Sequence, residues 1–170
     1  TALLLQTDDG TDLIYGDVEF FQFSDRTLTF AEAAALRASF GEIILGSDKA
    51  ENLAGTAASE VINAFGGNDW ITPGAGSDTI DGGDGRDMVS FSNLAQTMAR
   101  GLLQYRLDLD LGAGRATTSG GDIYILQNVE RITGTVYADR IRGDAGDNEL
   151  RGLGDYDWFV ATTGKDTMDG

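Results

Sequence analysis

A chain of 170 residues with 28 acidic against 12 basic side chains, a formal charge of −16, suits cations as partners and disfavours nucleic acid or an anionic membrane. It has no cysteine and no histidine, which removes thiol chemistry, disulfides and the usual ligands of zinc, copper and haem. With 24 glycines, one proline and no run of about 18 apolar residues, it reads as one turn-rich domain or one elongated repeat module without a membrane-spanning helix.

Residues 1–45 are not repetitive and are expected to flank and cap the repeats that begin at Gly46. Leu3–Gln6 and Asp12–Tyr15 read as short strands joined by a turn at Asp8-Asp9-Gly10. Val18–Phe23 is β-prone and is followed by a turn at Ser24-Asp25-Arg26. Thr29 and Glu32 have capping-box spacing, and the alanine-rich stretch to Ser39 predicts a short helix with Leu36 and Phe40 on one face. A stack of repeats needs such a cap, because its first coil otherwise leaves an apolar face and unpaired edge groups open.

Residues 46–90 fall into five nine-residue rows: GSDKAENLA, GTAASEVIN, AFGGNDWIT, PGAGSDTID and GGDGRDMVS. The eighth place is aliphatic (Leu53, Ile62, Ile71, Ile80, Val89) and the sixth acidic (Glu51, Glu60, Asp69, Asp78, Asp87). The fourth place is glycine in the last three rows, at Gly67, Gly76 and Gly85. Three columns in phase mark an internal repeat, a turn-rich half followed by a short strand. Alternation in that strand sends the eighth place inward and the seventh and ninth outward, so Trp70 and Met88 are expected at the surface or under a flanking segment.

Residues 91–128 break the period and carry no net charge when counted over 91–133, whereas 46–90 carry −6 and 134–170 carry −4. Leu94 to Leu103 has room for a short helix. Tyr105, Leu107, Leu109 and Leu111 alternate with polar residues as a half-buried strand does, Leu111–Arg115 turns, and Ile123–Leu126 is another strand. Gly112-Ala113-Gly114 lacks the lysine and the spacing of a phosphate loop. From Ile125 the period returns as ILQNVERIT, GTVYADRIR, GDAGDNELR, GLGDYDWFV and ATTGKDTMD, and residues 129–170 form a second repeat block. Its inward candidates are Ile132, Ile141, Leu150, Phe159 and Met168; its sixth places are Glu130, Asp139, Asn148, Asp157 and Asp166.

Glycine-rich loops point backbone carbonyls at a common centre, and an aspartate two residues before the inward aliphatic adds a carboxylate. Such an all-oxygen site suits Ca²⁺. If two rows make one coil, loops eighteen residues apart stack at roughly 5 Å on one edge. Asp69 then lies over Asp87, Glu60 over Asp78, Asp139 over Asp157 and Asn148 over Asp166, and a cation resolves the repulsion between stacked carboxylates.

These rows resemble the RTX, or haemolysin-type, calcium-binding repeat GGxGxDxUx. GGDGRDMVS matches every fixed place, PGAGSDTID departs only at Pro73, and AFGGNDWIT keeps Gly67, Asp69 and Ile71. The resemblance implies an all-β fold: a right-handed parallel β-roll, a two-sheet solenoid in two repeat blocks with non-repetitive β-rich flanks and the one short helix. It assigns metal roles to Gly67, Asp69, Gly74, Gly76, Asp78, Gly82, Gly83, Gly85 and Asp87. In the second block it assigns them to Asp139, Gly143, Gly146, Asn148, Gly152, Asp157, Gly164 and Asp166. It further implies several Ca²⁺ ions and type I secretion from a Gram-negative bacterium, with folding outside the cell that stabilises other domains of the parent chain. Thr1 and Gly170 fit a segment of something longer.

Three functions compete. The first is a calcium-binding structural module. The second is a calcium-dependent polysaccharide- or surface-binding module using Tyr105, Tyr124, Tyr137, Tyr156, Trp70 and Trp158. The third is a carboxylate-pair enzyme, disfavoured because the best carboxylates are committed to the loops. No EF-hand ligand series is present.

Overall fold

A computed structural model describes residues 42–94 and 106–170 with their side chains, and strands within 2–29 by backbone alone. Strands β1 (Ala2–Thr7) and β2 (Gly10–Tyr15) form the expected antiparallel hairpin. β3 (Phe20–Gln22) and β4 (Thr27–Thr29) form a second, separate one. Thr29, the expected capping residue, ends β4; the rest of the helix expected to Ser39, and all of the one expected over Leu94–Leu103 except Leu94, lie outside the described residues.

The repeats fold as expected, into a parallel β-solenoid. Its strands alternate between two sheets: β5 (Ile43–Ser47), β6 (Asn52–Ala54), β7 (Val61–Gly67), β8 (Trp70–Thr72), β9 (Thr79–Asp81) and β11 (Met88–Ser90), with a two-residue bridge, β10 (Asp84–Gly85), against β7. After the insert the alternation continues with β14 (Ile123–Gln127), β15 (Arg131–Thr133), β16 (Arg140–Arg142), β17 (Glu149–Arg151), β18 (Trp158–Val160) and β19 (Thr167–Asp169). One sheet has the order β19-β17-β15-β11-β8-β6, all parallel. The other is ordered β18-β16-β12-β13-β14-β9-β7-β5-β1-β2, where β12 (Leu107–Asp110) and β13 (Arg115–Thr118) come from the insert. The pairing of Ala2 with Ile43 lays the first hairpin beside β5.

Alternation in three-residue strands explains the core. Ile62, Ile71, Ile80, Val89, Ile132, Ile141 and Leu150 stack inward and are all buried, each contributing about 1.5–3 kcal/mol. Phe159 and Met168, on the last two strands, are only partly covered. Of the two seventh-place residues expected at the surface or under a flanking segment, Trp70 is half-exposed and Met88 is buried; the ninth-place Ser90 is buried as well. The Ser90 and Ser92 hydroxyls lie 3.0 Å apart, and the Met88 sulfur accepts from the Thr133 hydroxyl on the adjacent strand. Among the described residues no helix is long and apolar enough to cross a membrane.

The insert enters one sheet only. Between β9 and β16 that sheet carries β14, β13 and β12, while the other carries β15 alone between β11 and β17. The surplus space is filled by Phe91, Leu94, Leu107 and Tyr124, with Phe91 and Tyr124 edge to face at 4.9 Å. The row ILQNVERIT is corrected here. Leu126 aligns with Ile80 while Ile125 faces outward, so only five residues separate the inward Leu126 from Ile132. The short link at 127–130 has no room for a full nine-residue loop.

Candidate metal centre

The sixth-place side chains form two columns, one at the edge of each sheet. Beyond Glu51 and Glu60, which head the columns, the carboxylates of Asp69, Asp78, Asp87, Glu130, Asp157 and Asp166 each accept, through one oxygen, the backbone N–H of the sixth-place residue one coil earlier. On one edge Glu51 donates to Asp69, Asp69 to Asp87 (both 2.8 Å) and Asp87 to Glu130 (2.9 Å). The same edge continues with Asn148 donating to Asp166 at 3.2 Å. On the other edge Glu60 donates to Asp78 (2.8 Å) and Asp139 to Asp157 (2.9 Å). The structure therefore brings together the four pairs that the spacing placed together.

The second column is broken in the middle, which the sequence did not show. Register puts Tyr124 in the sixth place above Asp78 and Leu107 in the sixth place beside Asp139. Both are buried, and the Tyr124 hydroxyl donates to the Gly74 carbonyl at 2.9 Å. The backbone N–H of Leu107 still reaches Asp139 at 2.8 Å.

What the second carboxylate oxygen meets divides the rows into two kinds. In five rows the second-place N–H donates to the sixth-place side chain of its own row: Ser47 to Glu51 (2.6 Å), Thr56 to Glu60 (3.1 Å), Thr135 to Asp139 (2.6 Å), Asp144 to Asn148 (2.8 Å) and Thr162 to Asp166 (3.1 Å). Each threonine also donates its hydroxyl to the same acid, as Thr56 does to Glu60 at 2.5 Å. These rows are closed by their own donors.

The tenth row, 125–133, is of neither kind, its second-place Leu126 N–H donating to the Gly114 carbonyl. In the other four rows, 64–72, 73–81, 82–90 and 152–160, the second and fourth places are left-handed. They are Phe65 and Gly67, Gly74 and Gly76, Gly83 and Gly85, and Leu153 and Asp155. A positive φ turns the second-place N–H away; Phe65 and Gly83 donate backward instead, to Asn63 and Asp81. The consequence falls on the acids. Asp69, Asp78, Asp87 and Asp157 each hold a buried Oδ2 with no hydrogen-bond partner. An unanswered buried carboxylate oxygen is costly, so these four rows are open to a cation.

Burial raises carboxylates in rows of both kinds. Burial pushes Asp78 from 3.8 up to about 7 and raises Asp87 as well; it also raises Asp139 to about 6 despite its donors. Asp166 is lowered, chiefly by the Thr162 N–H. Among the described residues no three acidic side chains converge on one point, so carbonyl oxygens have to complete any ion's shell. The donors offered are all oxygen, and they fit Ca²⁺.

The glycines serve different ends. At Gly83 and Gly85 an added Cβ would run into the carbonyls of Phe65 and Gly67 on the preceding loop, so these places are kept bare by close stacking as well as by φ. First-place Gly82, Gly143 and Gly152 lie against the sixth-place side chains of Asp87, Asn148 and Asp157, leaving those groups room. Gly146 and Gly164, in closed rows, do not share the left-handed conformation of the open-row fourth places.

A family model, the RTX calcium-binding nonapeptide repeat, matches the chain in 4 copies over residues 45–80, 54–89 and 128–159. No curated protein matches the chain.

Proposed function

The chain carries RTX calcium-binding nonapeptide repeats, and from that premise we propose that it is a calcium-dependent folding module whose ions answer the open rows. The observation that carries this reading is the set of four partnerless Oδ2 atoms in loops with left-handed second and fourth places. Asp69, Asp78, Asp87 and Asp157 supply carboxylate, and the loops around Gly67, Gly76 and Gly85 supply carbonyl oxygen. One oxygen of each aspartate is held by the neighbouring coil's N–H, which fixes the direction of the other. Calcium contributes positive charge between loops that are otherwise acidic and polar. The resemblance supports a secreted, extracellular setting, export by a type I system while unfolded, and stabilisation of attached domains once calcium is met.

The test is far-UV circular dichroism of the metal-free chain titrated with calcium. The expected result is a β signal that appears with calcium and leaves with chelator; a signal indifferent to both sinks the reading.

One observation favours a second reading, calcium-dependent polysaccharide binding. A cleft of about 280 Å³ on the outer face of one sheet is lined by Trp70, Met88, Arg131, Glu149, Arg151 and Leu153, among others. Trp70 is half-exposed, and its ring offers a stacking face beside charged and hydroxyl groups. Of the other aromatics, Tyr124 is buried and Tyr105 lies outside the described residues, whereas Tyr156 and Trp158 are exposed. A glycan screen with calcium present tests it, with loss of any binding expected in Trp70→Ala.

A further inference from the structure

We infer that in the five closed rows the second-place residue does the work of an ion, so that rows 46–54, 55–63, 134–142, 143–151 and 161–169 are metal-free rungs and calcium is confined to the four open rows. This rests on the calcium reading above and adds which rows are sites.

In a closed row the side chain that a cation would engage already receives a backbone N–H, and in the threonine rows a hydroxyl too. Those donors turn their positive ends toward the carboxylate from within the loop. A cation approaching it would face N–H groups, where an open row leaves the carboxylate oxygen unanswered, and it would have to displace formed hydrogen bonds. Charge-assisted bonds of this kind are worth roughly twice a neutral one.

Row 143–151 shows that a closed row needs no charge at all. Its sixth place is the neutral Asn148, whose Oδ1 accepts from the Asp144 N–H and whose Nδ2 donates to the Asp144 carboxylate at 3.0 Å. Both polar atoms are answered inside the row.

Glycine content does not decide the class. Row 143–151, GDAGDNELR, has glycine in the first and fourth places yet is closed. Row 152–160, GLGDYDWFV, has leucine and aspartate in the second and fourth places yet is open. Left-handed Leu153 and Asp155 cost energy that glycine does not, so the backbone holds this conformation against local preference. The second-place side chain decides instead: threonine, serine or a capping aspartate closes the row.

The experiment counts ions by equilibrium dialysis with calcium and follows folding by circular dichroism on the full chain. Asp87→Asn, in an open row, is expected to lower the bound calcium by one ion. Asp166→Asn, in a closed row of the last coil, is expected to leave the count unchanged and shift the calcium midpoint by less than about twofold. Thr56→Gly with Ala58→Gly converts GTAASE to GGAGSE and is expected to add one ion. Loss of an ion in Asp166→Asn overturns the inference, and so does a converted row that folds without gaining one. The converted row gives an answer even if either aspartate variant fails to fold. A parent chain that binds no calcium overturns the calcium reading itself, and this inference with it.

Discussion

Protons should partly replace calcium. Asp78 holds its proton to about 7 and Asp139 to about 6, both because burial disfavours the charged form. A carboxylate raised above its unfolded value of 3.8 leaves the fold unpenalised below that pH, and stability is lost as pH rises toward the folded value. At about 1.4 kcal/mol per pH unit, ionised Asp78 opposes folding of the metal-free chain by about 4 kcal/mol at pH 8 and roughly 1–2 at pH 5, a relief of roughly 2–3. Asp139 adds a smaller relief, roughly 1–2 kcal/mol, over the same range. Together they amount to about 4 kcal/mol, comparable with one ion bound at sub-millimolar affinity. The assay is circular dichroism of protein stripped of metal, at pH 8 and at pH 5, where the chain is still above its isoelectric point of about 4.1. More β structure or a higher urea midpoint is expected at pH 5. Asp78→Asn should raise the pH 8 signal and remove about two-thirds of the pH response. A metal-free chain no more folded at pH 5 than at pH 8 would refute the reasoning.

Tyr124→Phe keeps the ring but leaves the buried Gly74 carbonyl without its 2.9 Å donor; a loss of about 1–3 kcal/mol is expected in urea unfolding with calcium present. Gly83→Ala forces a side chain into φ +87° and against the Phe65 carbonyl, so a loss of at least about 2 kcal/mol should move the calcium midpoint more than tenfold. Arg140→Gln removes a half-exposed pair with Asp108 and should change the thermal midpoint little, by under about 1 kcal/mol.

The ladder of aliphatics was legible because an eighth-place residue in a three-residue strand can only point one way. Ile62 through Val89 and Ile132 through Leu150 are buried as the period requires. The pairs Asp69 with Asp87 and Asp139 with Asp157 followed from the same eighteen-residue repeat. Two things were hidden. Tyr124 and Leu107 reach sixth places through strands that lie outside the nine-residue phase, one of them in an antiparallel hairpin, so counting nines could not find them. The row class depends on backbone φ, which Leu153 and Gly146 set against glycine preference. A signal for the closed rows was nevertheless present, a threonine four residues before the acid in GTAASE, GTVYAD and ATTGKD.

The hairpin of β12 and β13 gives one sheet two strands that the other lacks. At about 4.8 Å per strand, one side of the roll is longer by about 10 Å. A stack of equal coils is a straight column; this one has a keystone set into it. The strands before and after the wedge are separated by two extra strands on the longer side and follow one another in register on the other, where β11 meets β15. A wedge on one side alone is expected to turn the second repeat run relative to the first, as a keystone turns an arch.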